Sequence, residues 1–531
     1  IFGAPPRVSL YWDNIPLQAA EATMENAQIE AAWSYHNGTR HPGGYLLDPH
    51  HVYNWELRPR LFKVYEGAPS LPLEDEFAPL GMPALEALGG GQPAEGDARG
   101  PDRGELARLL QYSAGITKTL DYGRGMGRVP FRAAACTGAL YHIELYAVCG
   151  DLPGLEAGVY HFDPRQPALT LLRRGDFRPR LVQATGGAPA VADAPLLLIY
   201  SDVYWRNAVK YQARAYRHAY WDSGTIVANT LAVAAARRLP AQVVASFVDD
   251  EVNQLLGLDT EREFVLQMVA VGSGSPAPED SPPLEPLQAT VQPLPGQRRL
   301  DSILEMHEAS SLPDAEAVAA WREARLDLAL PEPQGQIFPL QPLSPQEQPD
   351  DDLGPVIVRR GSTRRFRREP ITFAQLSTIL QASVTGVAAD FKGPEPLALS
   401  QAYVIANAVE GLPAGAYVYH AQRQALELLQ EGQFRDQAGQ LALGQALGAD
   451  ASANLYFLSP LGAVLERFGN RGYRAAQLEA ATTAGRIYLA SYALRLGATG
   501  LTFFDDAVTD FFSPHAEGKR VMFLMTVGQP A

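Results

Sequence analysis

The rhythm of apolar and polar positions changes several times along this chain. An Ala- and Glu-rich stretch from Leu17 to Tyr35 reads as a helix. Residues 67–104 are rich in Gly, Pro and acids and read as an irregular connection. Leu106, Leu109 and Leu110 have helical spacing, so Leu106 to Gln111 reads as a helix end. Ala139 to Val148 alternates and is aromatic, as a strand does, and Pro195 to Tyr200 is an apolar run suited to a buried strand. Val159 to Phe162 and Leu169 to Leu172 predict a hairpin around Asp163-Pro164. Ser223 to Arg237 carries almost no charge until its end and predicts a buried central helix, and Phe264 to Val271 predicts a closing strand.

Much of this pattern returns at an offset of 256 or 257 residues. Gly154-Leu155-Glu156-Ala157-Gly158-Val159-Tyr160 is answered by Gly411-Leu412-Pro413-Ala414-Gly415-Ala416-Tyr417. Gly175-Asp176-Phe177-Arg178 is answered by Gly432-Gln433-Phe434-Arg435, and Ala215-Tyr216-Arg217 by Gly472-Tyr473-Arg474. Asp249-Asp250 returns as Asp505-Asp506, and Val271-Gly272 as Val527-Gly528. So long a period is a duplicated domain and not a solenoid, and one chain then supplies what two subunits of a symmetric dimer would. Thr482 to Leu494 is the second central helix and Val521 to Val527 the second closing strand. The expected fold is α+β, two sandwich units around a mixed sheet forming an intrachain pseudo-dimer. The units are 1–272 and 351–531, and the Pro-dense stretch 273–350, with a helix from Asp314 to Leu328, reads as a linker without counterpart in the repeat.

Composition narrows the class. A chain of 531 residues needs more than one core, and 46% hydrophobic residues suit a globular protein. A net charge of −15 argues against nucleic acid as a partner and against anionic membrane surfaces. No apolar run is long enough for a membrane span, no signal peptide is visible, and a cytoplasmic monomer is expected. Cys136 and Cys149 make no metal or redox spacing and read as buried thiols. His36, His41, His50 and His51 cluster without ligand spacing, so no metal site is expected.

The sharpest local motif is Arg360-Gly361-Ser362-Thr363-Arg364-Arg365-Phe366. Arg360, Ser362 and Arg364 alternate, so in an extended segment they share one side and could grip a phosphate; a basic surface loop is the plainer reading. Lys210-Tyr211 is a second candidate, since a tyrosine beside a cation can have a lowered pKa and accept a proton, although most such dipeptides are structural. A third is Gly497 to Asp506, where a glycine turn after the central helix lets backbone N–H groups approach a planar ligand, or where Gly497 is simply a helix cap.

With these residues in view, the chain resembles the FMN-dependent nitroreductase family, whose opening Arg-x-Ser-x-Arg-x-Phe stretch holds the flavin phosphate. Tyr35-His36-Asn37-Gly38-Thr39-Arg40-His41 and the segment from Arg132 to Tyr146 resemble the SagB-type dehydrogenases, which oxidise azolines to azoles in peptide natural products. Ala135 and Cys136 stand where that group has Pro-Ser, and His142 where it has a second Pro. The resemblance implies that Gly138, Ala139 and Leu140 stack on the flavin bound by the other half, that Lys210-Tyr211 supplies the catalytic base, and that Gly500, Leu501 and Thr502 lie against the ring.

The copies are not equivalent. Before its Leu106 helix the first has Gly104-Glu105 and a Gly-rich acidic stretch, and its later turn, Pro240 to Ser246, has no glycine. The second has Arg467-Phe468 in the Lys-Tyr place and is about 13 residues shorter before the Tyr403 strand. The surviving pieces sum to one composite FMN site per chain, with the mirror-related site dead. The expected function is an FMN-dependent dehydrogenase acting on a small-molecule or peptide substrate. The rivals are an NAD(P)H-dependent nitro or quinone reductase and a degenerate scaffold that binds flavin or peptide without turnover.

Overall fold

The computed structural model describes residues 26–41, 59–73, 77–89, 99–123, 127–326, 328, 330–391 and 399–531. The 17–25 part of the first expected helix lies outside them, as do His50 and His51.

The first half opens with helices α1 (Glu30–Thr39), α2 (Ala84–Leu88) and α3 (Arg103–Ala114). Its sheet strands are β1 (Ser70–Pro72), β2 (Ile143–Cys149), β3 (Gly158–Asp163), β4 (Ala168–Arg174), β5 (Leu196–Asp202), β6 (Ala241–Val244) and β7 (Phe264–Val271), in the order β1-β4-β3-β2-β5-β7-β6. After β5 come α4 (Trp205–Tyr211) and α5 (Ala215–Ala236), and α6 (Asp249–Leu256) precedes β7. The second half repeats this with α7 (Asp301–Ala309), α8 (Ala315–Glu323), β8 (Ile337–Pro339), α9 (Leu353–Arg359), α10 (Phe373–Ser383), β9 (Gln401–Ala406), β10 (Gly415–His420), β11 (Ala425–Glu431) and β12 (Ala453–Ser459). It ends with α11 (Leu461–Phe468), α12 (Arg471–Ala493), β13 (Gly497–Leu501), α13 (Asp505–Phe512) and β14 (Arg520–Pro530). Its sheet runs β8-β11-β10-β9-β12-β14, and β14 then pairs with both β13 and the short strand Phe366–Arg367. Both large sheets are antiparallel throughout and not mixed, because β2-β3-β4 and β9-β10-β11 are joined by short turns that only antiparallel neighbours allow. The fold is a tandem pair of α+β units, as the repeat predicts.

Repeated residues make repeated bonds. The hydroxyls of Tyr160 and Tyr417 donate to the Glu156 and Pro413 carbonyls, four residues back in each GLxAGxY segment. Both α3 and α10 start on a capping box, Asp102 with Glu105 and Thr372 with Gln375. Gly104-Glu105 therefore opens a helix and is not the counterpart of the Arg360 loop. Alignment on these two caps puts that counterpart at about residues 90–94, outside the described residues.

The segment 273–350 corrects the linker reading. In α7 the His307 carbonyl accepts from Arg474 and the Ser310 hydroxyl from Arg474 Nε, and the Leu312 N–H donates to Asp249. In α1 the His36 carbonyl accepts from Arg217, the Thr39 hydroxyl from Arg217 Nε, and the His41 N–H donates to Asp505. So α7 is the repeat partner of α1, and β8 is the edge strand matching β1. The copies stand 271 residues apart at His36 and His307 but 257 apart at Tyr146 and Tyr403, and this change of offset hides the match.

The halves cross at α5 and α12, of 22 and 23 residues, which are buried almost all round. Both begin earlier than their apolar runs predict. The extra turns carry Arg217, Arg471 and Arg474, polar residues buried by contacts across the crossing. A Cβ on Gly224 would lie 2.6 Å from Ala481 Cβ, and one on Gly485 2.5 Å from Ala228 Cβ. Ala481 is the repeat counterpart of Gly224, and Ala228 of Gly485, so each position meets its own image, as at a two-fold axis.

On either side of this crossing a carboxylate of one half is gripped by two arginines of the other. Asp505 receives Arg217 Nη1 at 2.5 Å and Arg214 Nη1 at 3.1 Å; Asp249 receives Arg474 Nη1 at 2.7 Å and Arg471 Nη1 at 2.6 Å. Burial pushes the Asp249 carboxyl up, but Arg471 and Arg474 more than reverse this and hold it at about 2. Asp505 is likewise held down, by Arg214 and Arg217 against its burial. Removing one partner leaves buried guanidinium unpaired, so Asp249→Asn or Asp505→Asn should cost about 3–5 kcal/mol, read from the urea midpoint. A depressed carboxyl stabilises the fold above its unfolded value of about 3.9 and loses that as pH falls through its folded value. Stability should therefore drop between about pH 4 and about 2, and Asp249→Asn should flatten that drop.

Candidate functional site

The Arg360 loop lies between α9 and α10 and runs beside β13. Thr363 N–H donates to the Ala498 carbonyl at 2.9 Å, and a Cβ on Gly497 would sit 2.5 Å from Thr363 Oγ1, so this approach requires glycine. Arg360 is buried, donates to the Ala133 and Arg132 carbonyls of the first half at 2.9 and 3.2 Å, and lies over the Tyr488 ring. Ser362 Oγ is 3.1 Å from the Tyr488 hydroxyl, which also accepts the Gly500 N–H at 2.7 Å. Arg364 is exposed. The three thus differ in depth and do not simply share one face.

A third cation joins them from a hairpin, Ile116–Asp121 with Arg128–Arg132, that follows α3. Lys118 Nζ would be 3.6 Å from a Cβ on Gly361, and burial followed by the nearby Arg360 lowers its pKa. Among the described residues no carboxylate pairs with Lys118, Arg360 or Arg364. Cations without a carboxylate partner beside a hydroxyl have the chemistry to take an anion. The extra length before the β2 strand is the one sequence signal that points toward Lys118.

The first half supplies the opposite wall. Gly138, Ala139 and Tyr141 have φ of 64°, 52° and 45°. Asp222 of α5 accepts from Thr137 N–H at 2.9 Å, Thr137 Oγ1 at 2.8 Å and Cys136 Sγ at 3.1 Å, and so holds the bend. His142 bridges Asp222 and Asp202 at 2.8 and 2.6 Å. Burial lowers its pKa, but the two carboxylates outweigh this and raise it to about 9. The residues that depart from the resembling group, Cys136 and His142, therefore act as anchors of the loop. Cys136, His142 and Asp222 bring three potential metal ligands together, yet each already bonds within this network.

A side chain at Gly138 would come within 3.0 Å of the Tyr211 hydroxyl, so the loop and the Lys-Tyr pair meet. Lys210 is exposed, its Nζ 5.0 Å from the Tyr211 ring centre, over the face and not at the hydroxyl. The tyrosinate expectation is corrected here. Burial, Asp222 and Cys136 push the Tyr211 phenol up, and Arg364 offsets them only in part. Partial desolvation lowers the pKa of the Lys210 amine, although the side chain as a whole is exposed. Next in the chain, Gln212 has φ 49° and ψ −141°, a backbone state suited to glycine, and its counterpart is Gly469 at φ 65° and ψ −163°. Strain of this kind persists where the surroundings hold it, here beside the candidate pair.

The two walls close on each other through residues with no motif to announce them. Trp221 of α5 packs against Phe503 and Phe523, with ring centres 5.8 and 5.3 Å away, and His218 lies against both Trp221 and Tyr211. A Cβ on Gly500 would be 3.1 Å from the Phe523 ring. Leu501 is half-buried. Thr502 Oγ1 is buried without a hydrogen-bond partner, as are Nε and Nη2 of Arg214, whose guanidinium lies over Phe503 and Trp221. Orphaned polar atoms and apolar ring faces here, with cations lacking carboxylate partners at the Arg360 loop, fit a planar, phosphate-bearing group such as FMN.

The sequence profile of the nitroreductase family matches residues 122–273 and 357–529. The chain belongs to the nitroreductase family. MJ1384 of Methanocaldococcus jannaschii, a nitroreductase by name, is 27% identical over 168 residues, 32% of this chain and 79% of that protein. The trifolitoxin-processing protein TfxB of Rhizobium leguminosarum bv. trifolii is 27% identical over 271 residues, 47% of this chain and 72% of that protein. A nitroreductase structure from Anabaena variabilis shares the fold over 94% of this chain and 99% of that one, with a TM-score of 0.73 and 24% identity.

This nitroreductase-family chain treats its two symmetry-related places differently. In the mirror place, the turn that corresponds to Leu501-Thr502 is Ala245-Ser246, and both N–H groups donate at 2.9 Å to the Asp390 carboxylate. The Val243 N–H donates to the Ala388 carbonyl at 2.7 Å and the Asp390 N–H to the Val243 carbonyl at 3.1 Å, so the segment 388–390 bridges to β6. Arg322 Nε reaches Ser246 Oγ at 3.2 Å, and Trp321 of α8 packs against Phe391 and Phe468. Arg467 donates to the Arg325 carbonyl. The mirror place is filled by the chain's own residues. Lys118→Met should weaken FMN retention about tenfold, as one lost charge-assisted contact does, whereas Asp390→Asn should leave it unchanged; equilibrium dialysis of FMN checks both.

Proposed function

We propose that this chain is an FMN-dependent dehydrogenase of the SagB type, holding one flavin between its halves and oxidising a peptide-derived or small heterocyclic substrate. The observation that carries this reading is the contrast between the two symmetry-related turns. One keeps the Thr502 hydroxyl buried without a partner, and in the other both turn N–H groups are satisfied by Asp390. The relative named for trifolitoxin processing favours a substrate of peptide origin.

Arg360, Ser362, Arg364 and Lys118 would hold the phosphate. Gly500, Leu501 and Thr502 would line one side of the ring, and Gly138, Ala139 and Leu140 the other. Bound FMN supplies a hydride acceptor. The protein's own task is the proton that leaves the neighbouring carbon. Lys210, whose amine pKa is lowered by partial desolvation, takes that proton. Tyr211 keeps its own proton and orients the substrate as a hydrogen-bond donor. Trp221 and Phe503 exclude water from the cleft.

The purified chain should show flavin absorbance with one FMN per chain, and Arg364→Ala or Ser362→Ala should abolish its retention. No uptake of FMN overturns the reading, and two FMN per chain overturns the single site. Lys210→Met should lower the oxidation rate by about 10²-fold and remove the rise of rate with pH that deprotonation of the amine causes. One observation favours a second reading, an NAD(P)H-dependent nitro or quinone reductase with Lys210-Tyr211 structural: Lys210 is exposed, its amine over the Tyr211 ring and not at the hydroxyl. Rapid anaerobic bleaching of the flavin by NADPH, unaffected by Lys210→Met, selects that reading.

A further inference from the structure

A cavity of about 370 Å³ lies in the first half, at the end of α4 opposite Lys210-Tyr211. None of the residues assigned to the flavin cleft lines it. Its size falls in the range of small-molecule sites. Apolar walls come from Phe62, Leu258, Leu287 and Leu294. A Cβ on Gly257, which caps α6 at φ 64°, would meet Leu287 Cδ1 at 2.5 Å, so that wall is tightly set against the helix end.

The polar side of the cavity is unbalanced. Its acids are already engaged: Glu263 accepts from Lys63, Tyr146 and Ser201, and Asp259 pairs with Arg262 at 3.2 Å. Its donors are not. Arg206 is 1% exposed and is locked in place by Glu144 and the Tyr141 carbonyl through Nη1, yet its Nε is buried without a partner. Gln297 Nε2 is a second buried donor without a partner. Arg60 lines the same cavity and forms no ion pair among the described residues. A buried donor left unpaired is costly, and a bound acceptor relieves that cost.

We propose that this cavity binds an aliphatic carboxylate, the carboxylate on Arg206 Nε and Gln297 Nε2 and the hydrocarbon against Leu258, Leu287 and Leu294. The same contact could be made by a free acid or by an acidic side chain flanked by leucines in a peptide; the volume of about 370 Å³, near the lower end for small-molecule sites, assigns it to a free acid. The site is independent of the flavin reading, because none of its residues belongs to the cleft.

The test uses the full chain and hexanoate, followed by saturation-transfer NMR and calorimetry. Hexanoate should bind, and the neutral hexanamide roughly tenfold more weakly. Gln297→Leu should weaken hexanoate several-fold, and Leu294→Trp, which fills the cavity, should abolish binding. An unchanged thermal melt in both variants shows that the fold persists; Arg206 is left intact because it holds Glu144. Absence of hexanoate binding, equal binding of hexanamide, equal competition by inorganic phosphate, or binding that survives Leu294→Trp overturns the proposal. Tighter binding of a blocked Leu-Glu-Leu tripeptide than of hexanoate overturns the free-acid assignment.

Discussion

Two carboxylates, Asp249 and Asp505, sit at the place where the halves cross, and each is gripped by two arginines at or just before the start of the opposite half's central helix. A buried charge is tolerated only when paired and hydrogen-bonded, so these clusters fix the register of α5 against α12. They also fix what hangs on those helices. Asp222 and Trp221 are on α5, a turn or two beyond Arg217, and Tyr488 is on α12 beyond Arg474. The loop at Gly138 is tied to Asp222, and Ser362 and Gly500 to Tyr488. Both walls of the cleft therefore take their positions from one ionic crossing.

Symmetry in the scaffold and asymmetry in its contents arise from different parts of the chain. Helix crossing, ion clusters, capping boxes and strand order are repeated. The segment between the first long helix and the Tyr146 or Tyr403 strand is not. In the first half it is longer, brings Lys118 and arches as the Gly138 loop over the cleft. In the second half it is shorter and lays Asp390 and Phe391 into the mirror place. One local difference in length thus lays Asp390 against one turn and leaves the Thr502 hydroxyl of the other without a partner.

How much of this is legible in the sequence follows from where the information lies. Tyr160 and Tyr417, Arg217 and Arg474, and Asp249 and Asp505 are visible as repeats because each copy needs the same local bond. The start of each central helix is hidden, because Arg217, Arg471 and Arg474 look like surface residues until the other half buries them. The partnership of α1 with α7 is hidden by the change of offset, and Pro density makes residues 273–350 look like a connection only. Lys118, His218, Trp221 and Asp390 reach their places through tertiary packing, which no spacing along the chain encodes. Tyr211 shows the limit of motif reasoning: adjacency to Lys210 suggests a lowered phenol pKa, and the burial and Asp222 beside it raise it.

A crystal structure of the protein grown with saturating FMN tests the central claim most directly. The account predicts a single flavin between the Thr502 turn and the Gly138 loop, with Asp390 still bonded to Ala245 and Ser246. Flavin in the mirror place, with Asp390 displaced, or flavin in both places, contradicts it.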